Sequence, residues 1–276
     1  MVTRNIILKS LDDAISKCGP TIKQRFENFN PKDFSKEKYS SDQDVKGDRS
    51  PIGEIQRRQG DAQKDIDYTI TDKMVSSLYQ FHLFNDLNSY LNKVTFEDMF
   101  GNKHRVGEYD IEFISKFSDD HSEYLGMEMV KTPVTYGLMI DDVLTEKTIP
   151  ELGDMLSEAI DKSPRLLEPT LLYRFGHFEK GMKAGDTGKF DAFLSATFNE
   201  YVARKGIKNM NYLKLAESRK SRYQMRIYAP KGTKGMVLNR YNGCDDFQSE
   251  FLIDKGQKYI VLNVNDKKKT VDILLY

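Results

Sequence analysis

The sequence predicts an α+β protein, and three observations carry that reading. Upstream of Pro169 the apolar residues recur at helical spacing, downstream they alternate with period 2, and turn-forming clusters separate the downstream runs. Lys255-Gly256-Gln257 and Asp266-Lys267-Lys268-Lys269 are two such clusters. Helices first, then short strands joined by tight turns, predict helices packed on a largely antiparallel sheet. No internal repeat is visible.

From the N-terminus, residues 5–18 place apolar side chains at 6, 7, 8, 11, 14 and 15, the pattern of one amphipathic helix, and Gly19-Pro20 ends it. Residues 28–72 are almost devoid of aliphatic side chains. The clusters Ser40-Ser41-Asp42-Gln43-Asp44 and Gly47-Asp48-Arg49-Ser50-Pro51 read as loop, and the stretch as a linker or a partner-bound arm. The expected organisation is therefore 1–66 as an N-terminal helix plus a polar, flexible arm, and 67–276 as the main domain. A helix is predicted from Thr71 or Asp72 as N-cap through Met74, Leu78, Phe81, Leu83, Phe84 and Leu87 to about Leu91. Further helices are predicted at 109–117, 135–144 and 149–163. The last is the clearest: Thr148 can cap it, Glu151 lies in its first turn, Leu152, Leu156 and Ile160 share a face, and Ser163-Pro164 stops it. Strands are predicted at 170–174, 192–196, 223–228, 235–238, 250–253, 258–265 and 270–274.

A chain of 276 residues allows one large domain or a domain with an appendage. At 39% hydrophobic and 11% aromatic it can fill a core, whereas 30% charged residues and a mean hydropathy of −0.60 indicate extended polar segments. No run of about 18 apolar residues exists, which excludes a transmembrane helix and a membrane partner. Arg4 precedes a short apolar stretch, but Asp12 and Asp13 cut it off, so the signal-peptide pattern fails. Cys18 and Cys244 form no framework, which fits a reducing cytoplasm, whether of the producing or of a target cell. Net charge is zero, from 42 basic and 42 acidic residues, so general affinity for nucleic acid is not implied. The charge is uneven, however. Residues 107–129 are acidic and read as a solvated helical face. Residues 203–226 carry Arg204, Lys205, Lys208, Lys214, Arg219, Lys220, Arg222 and Arg226 against Glu217 alone.

Four segments follow in order. They are Leu171-Leu172-Tyr173-Arg174-Phe175-Gly176, Phe193-Leu194-Ser195-Ala196-Thr197-Phe198, the run from Ile227 to Gly235, and Phe247-Gln248-Ser249-Glu250. An arginine suits phosphate, because its planar fork of donors matches phosphate oxygens. Ser195 and Thr197 lie two apart on a predicted strand, so both hydroxyls face one side; Gln248 and Glu250 repeat that spacing.

Together these residues resemble the Arg, Ser-x-Thr/Ser and Gln/Glu-x-Glu motifs of the toxin-type mono-ADP-ribosyltransferases. The resemblance runs over roughly residues 68–276 and is strongest from Leu171. It implies an ADP-ribosyltransferase-like fold, with N-terminal helices on two mainly antiparallel sheets. It also implies NAD as co-substrate, cleavage at the nicotinamide glycosidic bond, and transfer of ADP-ribose to a macromolecular acceptor. Glu250 becomes the catalytic carboxylate that accepts the ribose 2′-hydroxyl and stabilises the charge developing at the anomeric carbon. Ser195 supports that glutamate, Thr197 shapes the site, Arg174 holds phosphate, and Gln248 addresses the acceptor.

A carboxylate at position 248 would suit a guanidinium, whereas an amide suits a carboxamide or a base edge. The acceptor implied is therefore a protein side chain other than arginine, with a nucleobase in DNA or RNA as the alternative. Rho-modifying members place an aromatic residue three positions before the glutamine, where this chain has Asp245. A catalytically silent, partner-binding fold is the second alternative, although every catalytic position holds a competent residue. The family's nicotinamide–phosphate loop falls between Phe198 and Gln224. Tyr212, Arg219, Arg222 and Tyr223 are its candidates, and the positive charge there suits a dinucleotide or a nucleic-acid acceptor equally. The biological setting implied is an intracellular toxin or a phage or anti-phage effector, with an inhibitory partner on the N-terminal arm.

Other motifs fail. Gly185-Asp186-Thr187-Gly188-Lys189 lacks the first glycine of a phosphate loop, since Lys183 stands there, and Phe190 replaces its Ser/Thr. His82, His104, His121 and His177 lack metal-ligand spacing, and His177, near Arg174, reads as a surface histidine. Asp61, Asp65 and Asp67 form no calcium loop. No metal is implied.

Overall fold

The computed structural model describes residues 29–36, 54–63, 83–97, 101–118, 124–133, 135–140, 143–179, 181–209, 222–238 and 249–276. The predicted helix over 5–18, and the part of the predicted 72–91 helix before Leu83, lie outside the described residues. In chain order the elements begin with α1 (Glu54–Ala62), α2 (Leu83–Leu91), β1 (Thr95–Glu97), β2 (Lys103–Arg105), β3 (Tyr109–Phe117), β4 (Tyr124–Pro133), β5 (Thr135–Ile140) and β6 (Val143–Thr148). They continue with α3 (Ile149–Lys162), β7 (Thr170–His177), β8 (Thr187–Lys189), β9 (Leu194–Thr197) and α4 (Glu200–Asn209). Last come β10 (Arg222–Ala229), β11 (Gly235–Val237), β12 (Glu250–Ile253), β13 (Lys258–Asn265) and β14 (Thr270–Leu275). Two compact units result, residues 68–158 and residues 1–67 with 159–276.

The first unit corrects the expectation that helices come before strands. The stretches 109–117 and 135–144, predicted helical, carry strands instead wherever they are described: β3 pairs with β4 and β5 with β6, both antiparallel, and β1 and β2 form a third two-stranded antiparallel sheet. Asp110, Glu112 and Glu128 of the acidic stretch thus lie on paired strands rather than on a helix. Tyr109, Ile111 and Phe113 alternate with Asp110 and Glu112, a period-2 pattern, and cross-strand pairing along the whole of β3 selects it. The predicted 149–163 helix is present as α3. Both the N–H and the hydroxyl of Thr148 donate to Glu151 Oε2 at 2.8 Å, which supplies the glutamate half of a capping box. The bonds from Thr148 hold the Glu151 carboxyl below the usual carboxylate range. Ile149, Leu152, Leu156 and Ile160 are buried along one face.

The second unit is built on an eight-stranded sheet of order β11-β12-β9-β7-β10-β14-β13-β8, antiparallel except for the β10–β14 pair. The predicted strands from residue 170 onward are all found here, and β8 is added. One residue pair alone, Tyr173 with Thr197, joins β7 to β9. The sheet is therefore two antiparallel-rich halves, β11-β12-β9 and β7-β10-β14-β13-β8, meeting at that pair. One face packs Leu172, Met225, Ile227, Val271, Ile273, Val261, Ala196 and Phe251 into a continuous core. The other buries Tyr228, Ile260, Leu262 and Leu274. Burial on both faces explains why a segment such as Tyr259-Ile260-Val261-Leu262 is apolar throughout.

The described parts of residues 1–66 are docked on this sheet, which departs from the predicted flexible arm ending at 66. Phe29 and Phe34 pack on Tyr228 at ring separations of 5.8 and 5.2 Å. Ser35 bridges Thr170, donating to the Pro169 carbonyl at 2.9 Å and accepting from the Leu171 N–H at 2.8 Å. On α1, Gln56 and Gln59 are buried, and Gln63 follows on the same side. Gln59 donates to the Pro164 carbonyl at 2.8 Å and accepts from the Leu167 N–H at 3.1 Å. The count of aliphatic residues misled here, because an amide side chain carries the same donor and acceptor as a peptide group and can dock by hydrogen bonds.

Among the described residues no helix is long and apolar enough to cross a membrane.

Candidate active site

Arg174, Ser195, Thr197 and Glu250 come from three strands and line one cavity of about 190 Å³, together with Tyr173, Phe175, Ala196, Val202 and Ala203. The cavity sits where β7 and β9 part. Consecutive residues of both strands line it, so it opens at the gap between strands rather than on one face of the sheet. Arg174 spans that gap: its Nη1 donates to the Ser195 carbonyl at 2.5 Å. Gly176, two residues on, leaves room for the folded-back guanidinium. A Cβ there would meet Arg174 Nε at 3.1 Å, tighter than ordinary contact.

Register fixes what faces Glu250. Thr197 lies directly opposite it, and Ser195 lies two residues along, opposite Leu252. The Thr197 hydroxyl accepts the Asn199 N–H at 2.9 Å, and the Asn199 side chain accepts the Tyr201 N–H at 2.9 Å as N-cap of α4. This chain of turns brings the first turn of α4, with Val202 and Ala203, to the cavity. Tyr173, Val202 and Ala203 were missed from sequence; adjacency to Arg174, and the Asn199 cap after the Ser-x-Thr motif, were the available signals.

Glu250 is buried, as is Ser249 before it. Ser249 has φ of 48°, in the left-handed region, and its carbonyl accepts the Phe198 N–H at 3.0 Å. A non-glycine residue held there costs roughly 1–3 kcal/mol and is kept by its surroundings. β12 starts at Glu250, immediately after this residue; the expected alternation of Gln248 with Glu250 involves a residue outside the described ones.

A polar row continues from Glu250 across the sheet. Thr197 pairs with Tyr173, Tyr173 with Arg226, Arg226 with Asp272, and Asp272 with Asn263. Arg226 grips Asp272 through two bonds, Nε to Oδ1 at 2.5 Å and Nη2 to Oδ2 at 2.6 Å. Burial, then the nearby Glu200 carboxylate, pushes the Tyr173 phenol well above its ordinary value, so it stays neutral.

The remaining predicted residues divide. Arg222 lies opposite His177 and donates from Nε to His177 Nε2 at 3.3 Å. Burial, and then the charges of Arg222 and Arg174, hold the His177 imidazole below its usual pKa. His177 thus belongs to a basic cluster at the end of β7, outside the cavity lining. Tyr223 is a correction: its ring is buried in the core against Phe178, and its hydroxyl donates to Asp266, so it cannot stack on a nicotinamide. Tyr212, Arg219 and Gln248 lie outside the described residues. Among those described, no three His, Cys, Asp or Glu side chains gather as a metal would require.

Residues 140–275, just under half of the chain, match the family model for the ADP-ribosyltransferase exoenzyme domain. No curated protein sequence matches. Similar solved structures include the ADP-ribosylating toxin BECa of C. perfringens, solved with NADH, at 14% identity over 80% of this chain and 48% of that one, TM-score 0.44. C3stau2 of S. aureus, solved with NAD, has 14% identity over 88% of this chain and 99% of that one, TM-score 0.44. The Vis toxin of Vibrio splendidus has 10% identity over 80% of each chain, TM-score 0.45. This chain thus spans about half the length of BECa.

Proposed function

We propose that this chain, whose residues 140–275 match the ADP-ribosyltransferase exoenzyme model, is an NAD-dependent mono-ADP-ribosyltransferase whose reaction takes place at the gap between β7 and β9. The observation that carries this reading is the convergence of Arg174, Ser195, Thr197 and Glu250 on one cavity. At about 190 Å³ the cavity is smaller than the roughly 300–1,000 Å³ of a whole-ligand site. It suits the reacting end of NAD, the ribose with its nicotinamide, while the rest of the dinucleotide runs beyond it toward the basic cluster of Arg174, His177 and Arg222.

The bond between nicotinamide nitrogen and ribose C1′ breaks, its electron pair leaving with the nicotinamide. The ribose becomes oxocarbenium-like, and the acceptor's nucleophile then bonds C1′ and gives up its proton. Glu250, a buried carboxylate, stabilises the cationic ribose and holds its 2′-hydroxyl. Thr197 and Ser195 build the wall beside it. Arg174 does two jobs: it offers charge to the pyrophosphate and ties β9 to β7.

Arg174→Ala is accordingly expected to weaken NAD binding roughly 10- to 100-fold, the worth of a charge-assisted contact of about 1.5–3 kcal/mol, and to lower turnover as well. Titration calorimetry with NAD measures the first effect. An unchanged affinity would leave Arg174 with its tie to Ser195 alone.

Gln248 reads the acceptor in this proposal, and the amide selects a protein side chain other than arginine. Gln248→Glu is expected to spare NAD hydrolysis to water and to abolish transfer to the native target. An acceptor relying on the amide donors loses roughly 1–3 kcal/mol when they are replaced by lone pairs. Full transfer by this variant would remove residue 248 from target recognition. Equal loss of hydrolysis and transfer would place it in the bond-breaking machinery. Incubation with labelled NAD and whole-cell lysate, followed by separate digestion with protease and nuclease, tests the activity and assigns the acceptor class. Label released by nuclease alone would move the acceptor to a nucleobase; no label and no free nicotinamide would overturn the enzyme reading. The setting proposed is that of an intracellular toxin or phage-related effector.

A further inference from the structure

Gln63 makes a two-point contact with the sheet edge that the reaction does not require on its face. Its side-chain amide donates from Nε2 to the Val237 carbonyl at 3.2 Å and accepts the Val237 N–H at Oε1 at 2.9 Å. Gln63 is fully buried. Val237 ends β11, the outermost strand on this side of the sheet, and its partner across β12 is Phe251. The next residue, Leu238, donates to the carbonyl of Glu250 at 3.2 Å. One glutamine therefore pairs the outward backbone groups of the edge strand as a further strand would, one residue before the contact that holds Glu250.

We infer that Gln63 is a positioning residue for Glu250: it stands in for a ninth strand and fixes the β11–β12 edge on which the carboxylate is mounted. The inference rests on the proposed function for its catalytic consequence. Three features favour positioning over mere docking of α1. The contact reaches the strand next to Glu250, whereas the side chain of Gln59, on α1, bonds Pro164, Arg165 and Leu167. Ser249 is held in the left-handed region immediately before Glu250, so the start of β12 needs outside support. Arg174 lies on β7, three strands from β11, so NAD binding is expected to be insulated from this edge.

The test compares Gln63→Met with Gln59→Met in the full chain. Methionine keeps the length and burial of glutamine but offers neither amide donor nor acceptor. Both variants are expected to melt at a lower temperature. Only Gln63→Met is expected to lower kcat for NAD cleavage, roughly 10- to 100-fold as for a misplaced catalytic group, with KM for NAD unchanged. Hydrogen exchange at Leu238 is expected to speed up in Gln63→Met and not in Gln59→Met. Should Gln63→Met fail to fold, Gln63→Asn, one methylene too short to span both bonds, takes its place. Equal kcat losses in the two variants, or none in Gln63→Met, would overturn the inference. A wild-type chain that does not cleave NAD would overturn the proposed function and this consequence with it; an active wild type with unaltered Gln63→Met turnover overturns this inference alone.

Discussion

Glu250→Gln is expected to lower transfer and NAD hydrolysis by roughly two to three orders of magnitude while leaving the fold and NAD affinity intact. The two side chains have nearly the same shape, and position 250 is held opposite Thr197 on β9 with its carbonyl accepting the Leu238 N–H just past β11, so the variant fills the same space. What changes is charge. The carboxylate matters when the ribose becomes cationic, not when neutral ground-state ribose binds, so the loss falls on kcat rather than KM. The burial of Glu250 strengthens the effect, because a charge acts more strongly where it is screened less by water. Steady-state release of nicotinamide, with calorimetric NAD affinity alongside, measures it. Turnover within a factor of a few of wild type would remove Glu250 from the catalytic role.

Arg226→Ala is expected to produce the largest loss of stability, roughly 3–5 kcal/mol, because it strands a buried carboxylate. Asp272 is completely buried, and its two oxygens take both bonds from Arg226 and a third, at 3.0 Å, from Asn263. With Arg226 gone, the amide of Asn263 remains as the charge's sole side-chain partner among these, and one hydrogen bond does not offset its desolvation. The melting temperature should fall by roughly 10 °C or more for a protein of this size. Replacing both partners, Arg226→Met with Asp272→Leu, is expected to recover most of that loss, since no buried charge is then left. Thermal unfolding of the three proteins decides the matter. A shift of only a degree or two in Arg226→Ala would mean that water reaches Asp272. Because Tyr173 lies between Arg226 and Thr197 in the same cross-strand row, loosening this pair also loosens one wall of the cavity.

What the sequence by itself determined was everything local. The strands from residue 170 onward, β8 apart, were legible because they are short apolar runs closed by turn formers, as at Lys255-Gly256-Gln257. The α3 cap was legible because Thr148 and Glu151 meet within one turn. Arg174, Ser195, Thr197 and Glu250 were legible as an ordered set of motifs. Tertiary structure decided the rest, because each of those questions turns on groups distant in the chain. Residues 109–117 satisfy either period until β4 supplies the pairing. Arg222 and Tyr223 are neighbours with equal claims on a dinucleotide until the core takes the face bearing Tyr223. Gln59 and Gln63 have helical spacing but no apolar signal, and their value emerges only where backbone groups of the folded chain await an amide. The cavity itself exists because β7 and β9 share one residue pair before they part, a consequence of sheet register that no local pattern records.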